Sequence, residues 1–130
     1  MQKDYKKWTP VKMTANNEAN VRPNYKEGGI YWVLVGDNVG MEQDGKGELF
    51  ARPVVVVRGF SKELFWGIPL TSQNKSGKYY FSFTFLANQH SVAILSQLRA
   101  FDTSRISGRI MGRMKKEDLL KLKNRLKYLL

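Results

Sequence analysis

The 130-residue chain has no cysteine and a single histidine, His90. The first absence excludes disulfides, thiolate metal sites and a cysteine nucleophile, and it is compatible with a reducing cytosol. The second excludes, within one subunit, a two-histidine acid/base pair, a multi-histidine zinc site and a cysteine–histidine dyad. No segment approaches the ~20 apolar residues of a membrane span. The N-terminus, MQKDYKKWTPVKMTANNEANVRP, also lacks the apolar run of a signal peptide, so a cytoplasmic protein with no membrane association is expected. Acidic residues are scarce: 11 Asp+Glu against 22 Lys+Arg leave a formal charge of +11. Such a balance favours an acidic partner, whether nucleic acid, an anionic surface or an acidic protein segment. The surplus lies at the ends: residues 1–27 carry six basic and three acidic side chains, 28–112 nine and six, and 113–130 seven and two.

What is present fits one domain, since 42% apolar residues are enough to close a core at this length. Residues 1–27 show no sustained period and read as an extension of unknown role, with Tyr5, Trp8 and Tyr25 as docking residues. Residues 28–130 form the domain. Ile30–Val35 is a β-branched and aromatic run bounded by glycines, which is a strand. Gly36–Ala51 is a long loop with four glycines, of the length that usually carries function. Pro53–Arg58 and Glu63–Leu70 are neighbouring antiparallel strands about a turn at 59–62, and Lys78–Phe83 and Ser91–Leu95 supply two more. Strands with no helix between them argue for a small barrel or sandwich. Leu119, Leu122, Leu126 and Leu129 recur at helical spacing, predicting a helix over about 115–129 that caps one end of the fold. Glu117 and Asp118 in its first turn and Lys127 near its end suit the helix dipole.

The most informative stretch is GMEQDGKGELFARPVVVV at 40–57, followed by PLTS at 69–72. It brings an arginine, a threonine and a glutamate to places where loops meet strands, a way to gather groups that handle phosphate. Arg52 is read as ending the loop, held in place by Pro53 as the first strand residue, where a missing N–H is tolerated. Its planar, permanently charged fork fits phosphate bidentately, and the Thr71 hydroxyl can donate to a phosphate oxygen. Glu42 is either a carboxylate base or a turn anchor and partner of Arg52. Ser72 reads as a turn residue and His90 as a loop histidine. Tyr79, Tyr80, Phe81, Trp32 and Trp66 are mostly core, with a solvent-facing aromatic beside Lys75 or Lys78 the better surface for stacking unpaired bases.

Taken in order, Gly36-Asp37-Asn38-Val39-Gly40, Glu42-Gln43, a glycine loop, Arg52-Pro53 with its valines, Pro69-Leu70-Thr71-Ser72 and Ser91-Val92-Ala93-Ile94-Leu95-Ser96-Gln97-Leu98-Arg99 resemble the PemK/MazF toxin family. The similarity runs over about residues 28–130, and the joint order of these motifs is far more specific than any one of them. The resemblance implies an SH3-like barrel, mainly β with a C-terminal helix, that forms a homodimer. It further implies a type II toxin–antitoxin toxin: an endoribonuclease that cleaves single-stranded RNA, mRNA foremost, without metal or cofactor. A cognate antitoxin would then lay an acidic tail in the RNA groove. Residue by residue, it assigns catalysis or phosphate contact to Arg52 and Thr71, with Glu42 as candidate base. It matches Gln43 to the family's Glu-Gln and places Gln97 and Arg99 on a late strand near the dimer and RNA surface. Ser72, Lys75 and Lys78 are expected to bind RNA as well, from their own positions beside Thr71 and the exposed aromatics.

Three departures stand out. Asp44–Ala51 puts eight residues between Glu-Gln and Arg-Pro, where the family commonly has a few. Ser96 occupies a place that is acidic in some members, so a mechanism with that acid as base does not apply. Residues 1–27 are additional. The alternative from a different class is a non-catalytic barrel of the same fold that binds nucleic acid or protein, including one that poisons gyrase by contact; retention of both Arg52 and Thr71 favours cleavage.

Overall fold

The computed structural model describes residues 22–35 and 50–130. Seven strands make one antiparallel sheet: β1 (Gly29–Leu34), β2 (Ala51–Gly59), β3 (Leu64–Thr71), β4 (Tyr80–Phe85), β5 (Gln89–Ile94), β6 (Arg99–Asp102) and β7 (Ile106–Arg113). A single helix, α1 (Lys116–Leu129), follows β7 among the described residues. The strands run in the order β4-β5-β3-β2-β1-β7, with β6 added to β3. This is the mainly β architecture with a C-terminal helix expected from the sequence. No helix among the described residues is long and apolar enough to cross a membrane.

The valine run of β2 is explained by burial on both of its faces. Val55 and Val57 pack with Ile30, Ile68, Leu70 and the phenylalanines of β4, while Val54 and Val56 pack with Tyr31, Val33, Phe65 and Phe101. A strand buried on both sides reads as a continuous apolar run rather than an alternation. On β4 the alternation is strict: Phe81, Phe83 and Phe85 turn inward, with ring centroids 6.2 and 5.9 Å apart.

Helix α1 closes the first of these clusters. Leu122 is fully buried, and Leu119, Leu126 and Leu129 pack partly buried around it. Arg125 fixes the helix to the chain leading into β4, its guanidinium donating to the carbonyls of Gly77, Lys78 and Tyr80 at 3.3, 3.2 and 2.9 Å. Residues 22–26 run along the second cluster, and Glu27 reaches the helix at Lys123. The Tyr25 hydroxyl donates to the Ser61 carbonyl at 2.6 Å and its ring sits 5.3 Å from that of Phe65, so Tyr25 docks as expected. Tyr5 and Trp8 lie outside the described residues.

Several boundaries differ from the sequence reading. β2 begins at Ala51, so Pro53 is its third residue and not its first. The proline is tolerated because β3 joins β2 only from Val54 onward. β5 begins at Gln89 and takes in His90, which pairs with Thr84 of β4 and is not a loop residue. Gln97 lies in a short 3-10 turn and not on a strand, and Arg99 opens β6 opposite Gly67.

Candidate active site

β2 and β3 part company at one end, and a cleft opens between them. Their ladder runs through Val55–Ile68 and stops at Val54–Pro69. Beyond it, Leu70 and Thr71 pair instead with Ala93 and Val92 of β5, while Arg52 pairs with Val33 of β1. Prolines 53 and 69 flank the split, and neither has an N–H with which to extend the ladder. Continuing the β2–β3 register past its last pair sets Arg52 opposite Thr71. The space between the strands is a cleft of about 210 Å³, lined by Arg52, Thr71 and Ser72 together with Trp32, Phe85, Gln89, Ser91 and Met111.

The polar groups of this cleft are ready for a ligand. The guanidinium of Arg52, half-buried, has no hydrogen-bond or ion-pair partner among the described residues. Thr71 Oγ1 accepts the N–H of Gln73 at 3.1 Å, which fixes the hydroxyl and leaves its hydrogen to donate outward. A cationic fork and a hydroxyl donor lining the same cleft suit a phosphate, whose oxygens accept from both. Met111 enters through an irregularity in β7: residues 108–111 face only Tyr31 of β1, and Gly108 takes φ 79° at the start of that excursion.

The other expected site residues fall in different places. Lys75, Lys78, Gln97 and Arg99 are exposed and do not line the cleft. The Lys78 ammonium lies 5.3 Å from the ring centroid of Tyr79, itself 45% exposed, giving the solvent-facing aromatic beside a lysine anticipated from the sequence. Arg99 stacks its guanidinium 4.6 Å from the centroid of Phe101. Glu42 and Gln43 lie outside the described residues. No carboxylate or imidazole is found among the described residues that line the cleft. Phe85, Gln89, Ser91 and Met111 were missed as site residues. The alternation Phe81, Phe83, Phe85 was a signal for the first, since it carries β4 past the point where the sequence reading ended it.

Comparison with known proteins decides the family. Residues 26–130 match the model of PemK-like, MazF-like toxins of type II toxin–antitoxin systems. The chain belongs to the PemK/MazF family. No curated protein matches this PemK/MazF chain by sequence. Its fold is similar to that of a MazE–MazF complex from Deinococcus radiodurans, with 17% identity, a TM-score of 0.62, and coverage of 82% of this chain and 96% of that one. MazF alone from the same organism gives 16% identity and a TM-score of 0.62 over 84% of this chain and 96% of that one. The Mycobacterium tuberculosis toxin MazF-mt6 gives 16% and 0.57 over 77% and 93%.

Proposed function

We propose that this PemK/MazF toxin is an endoribonuclease that cuts single-stranded RNA, mRNA foremost, without a metal ion, and that Arg52 and Thr71 are its phosphate-handling pair. The observation that carries the reading is their meeting across the β2–β3 split, with the arginine fork unengaged among the described residues. In the reaction the ribose 2′-oxygen attacks the adjacent phosphorus as its proton is removed, and the 5′-oxygen leaves with a proton supplied to it. A 2′,3′-cyclic phosphate and a 5′-hydroxyl result. Arg52 neutralises the charge that develops on the non-bridging oxygens, and Thr71 donates to one of them.

Glu42 is the proposed base. It lies nine residues before the start of β2 in the sequence, and the described lining of the cleft contains no carboxylate or imidazole that could take the proton instead. Ser72, beside Thr71, and Gln43, beside Glu42, are proposed to contact the same RNA. Lys75, Lys78, Gln97 and Arg99, set outside the cleft, would track its backbone through charge and hydrogen bonds.

As a toxin of a type II system the protein is proposed to arrest growth in the cytoplasm until an antitoxin binds it. The MazE–MazF complex among the similar structures supports such a partner, and the charge of +11 supports an acidic tail on it. Homodimerisation is part of the same proposal and rests on the family.

The test is incubation of the purified protein with mixed single-stranded RNA in EDTA, with the ends mapped by sequencing. Discrete cuts bearing 5′-hydroxyl ends support the reading. Salt-sensitive binding with no product would instead point to a non-catalytic barrel.

A further inference from the structure

We infer that Gln89 and Ser91 read one unpaired nucleobase next to the phosphate held by Arg52 and Thr71, an assignment that rests on the RNA reading of the cleft. The two residues are separated by one position on β5 and therefore share a face of the sheet. In register with them on β4 stand Phe85 and Phe83, and with Ala93 stands Phe81, so this is the core-facing side of the hairpin. Ala93 is fully buried there. An apolar residue at 91 would continue that core; the chain has a serine instead, only 7% exposed.

The Ser91 hydroxyl has no hydrogen-bond partner among the described residues, and it lines the cleft. A buried hydroxyl without a partner destabilises the fold unless something completes it. The Gln89 amide, more exposed at the mouth, is likewise without a side-chain partner among the described residues. An amide carries an acceptor beside a donor, and a hydroxyl offers both. That pairing can meet both the donors and the acceptors of a base edge, whereas a phosphate, which offers acceptors alone, would use only its donors. Trp32, Phe85 and Met111 line the same cleft and supply the rings and the polarizable thioether against which a base face packs.

The test uses short single-stranded RNAs of 2′-O-methyl nucleotides, which cannot be cut by their own 2′-oxygen, differing in one base at a time. Their binding to the wild-type protein, Gln89→Ala and Ser91→Ala is followed by fluorescence anisotropy beside the Tm of each. The wild type is expected to favour one base at one position by about tenfold or more, and both variants to flatten that preference to within about twofold. The Tm of Ser91→Ala is expected to hold or rise, since an unpartnered buried hydroxyl is removed. An equal preference in wild type and variants overturns the inference, as does a wild type with no preference, or a loss of binding that merely follows a fall in Tm. Base-selective binding without cleavage of ordinary RNA would sink the ribonuclease reading and leave this one standing. Cleavage whose sequence preference both variants retain does the reverse.

Discussion

Arg52 and Thr71 line one cleft between two strands that are no longer paired there, each two positions past the Val54–Pro69 pair at which the β2–β3 ladder ends. The separation leaves between the strands the cleft in which a phosphate is proposed to sit. Each strand keeps its place through its other neighbour, β1 for Arg52 and β5 for Thr71. The two groups are thus held on rigid elements and not on loop tips.

If the arginine works as a planar fork, a lysine cannot replace it. Arg52→Lys is expected to lose at least about tenfold in kcat/KM despite keeping the charge, and Arg52→Ala about a hundredfold or more. Both should keep the wild-type Tm within a few degrees, because the half-buried guanidinium has no partner among the described residues to lose. Steady-state cleavage of a fluorogenic RNA together with thermal melts checks this, and equal rates for Lys and Arg would count against bidentate phosphate contact.

Glu42→Gln tests the proposed base. General-base removal typically costs about 10²–10⁴ in rate. The expected result is a loss of that size in kcat with RNA binding retained and the acidic limb of the pH–rate profile abolished. A variant that cleaves normally would rule Glu42 out as the base.

Acid stability has two identifiable contributors. Burial opposes ionisation of Glu27, but the Gly59 N–H, the Lys123 ammonium 3.3 Å away and Arg58 outweigh it, so its pKa lies below the ordinary value. Asp102 is lowered chiefly by the Ser104 N–H, against some burial, with Arg22 adding to the effect. Both carboxyls bind protons less readily folded than unfolded. Their stabilisation is therefore complete above the unfolded values of about 4 and is lost as pH falls through the lower folded ones. Each is about half exposed and screened, so the loss is expected to stay below about 1 kcal/mol apiece. Urea melts from pH 6 to pH 2 should show a shallower acid decline in Asp102→Asn and Lys123→Ala than in the wild type.

The helix should be as important to stability as the sheet. Leu122→Ala is expected to cost about 2–5 kcal/mol, as for other fully buried leucines. Arg125→Ala, which leaves three carbonyls without their charged donor, should cost about 1–3 kcal/mol. Denaturant unfolding measures both; near-wild-type midpoints would mean that the helix is dispensable to the core.

Local pattern announced β1, β2, β3 and α1, because a β-branched run between glycines and a leucine repeat each specify their element without help from distant residues. It also brought Arg52 and Thr71 forward, since each follows or precedes an apolar run beside a proline. β6 and β7 were not legible. Arg99–Asp102 and the glycine-bearing Ile106–Arg113 lack a clean alternation, and they are strands because β3 and β1 offer them ladders. Gln89 and Ser91 were hidden for a related reason: only the turn through Leu86 and Asn88, both at positive φ, swings them into register with Phe85 and Phe83. Which side chains share a cleft depends on register, and register is set by the whole sheet.

The most direct test of the account is single-turnover RNA cleavage in EDTA by the wild type, Arg52→Ala, Thr71→Val and the double variant. The account predicts that each single substitution removes most of the activity and that the double variant is little worse than either, because the two groups act on one phosphate as a unit. Additive losses, or a single variant that cleaves at the wild-type rate, would contradict it.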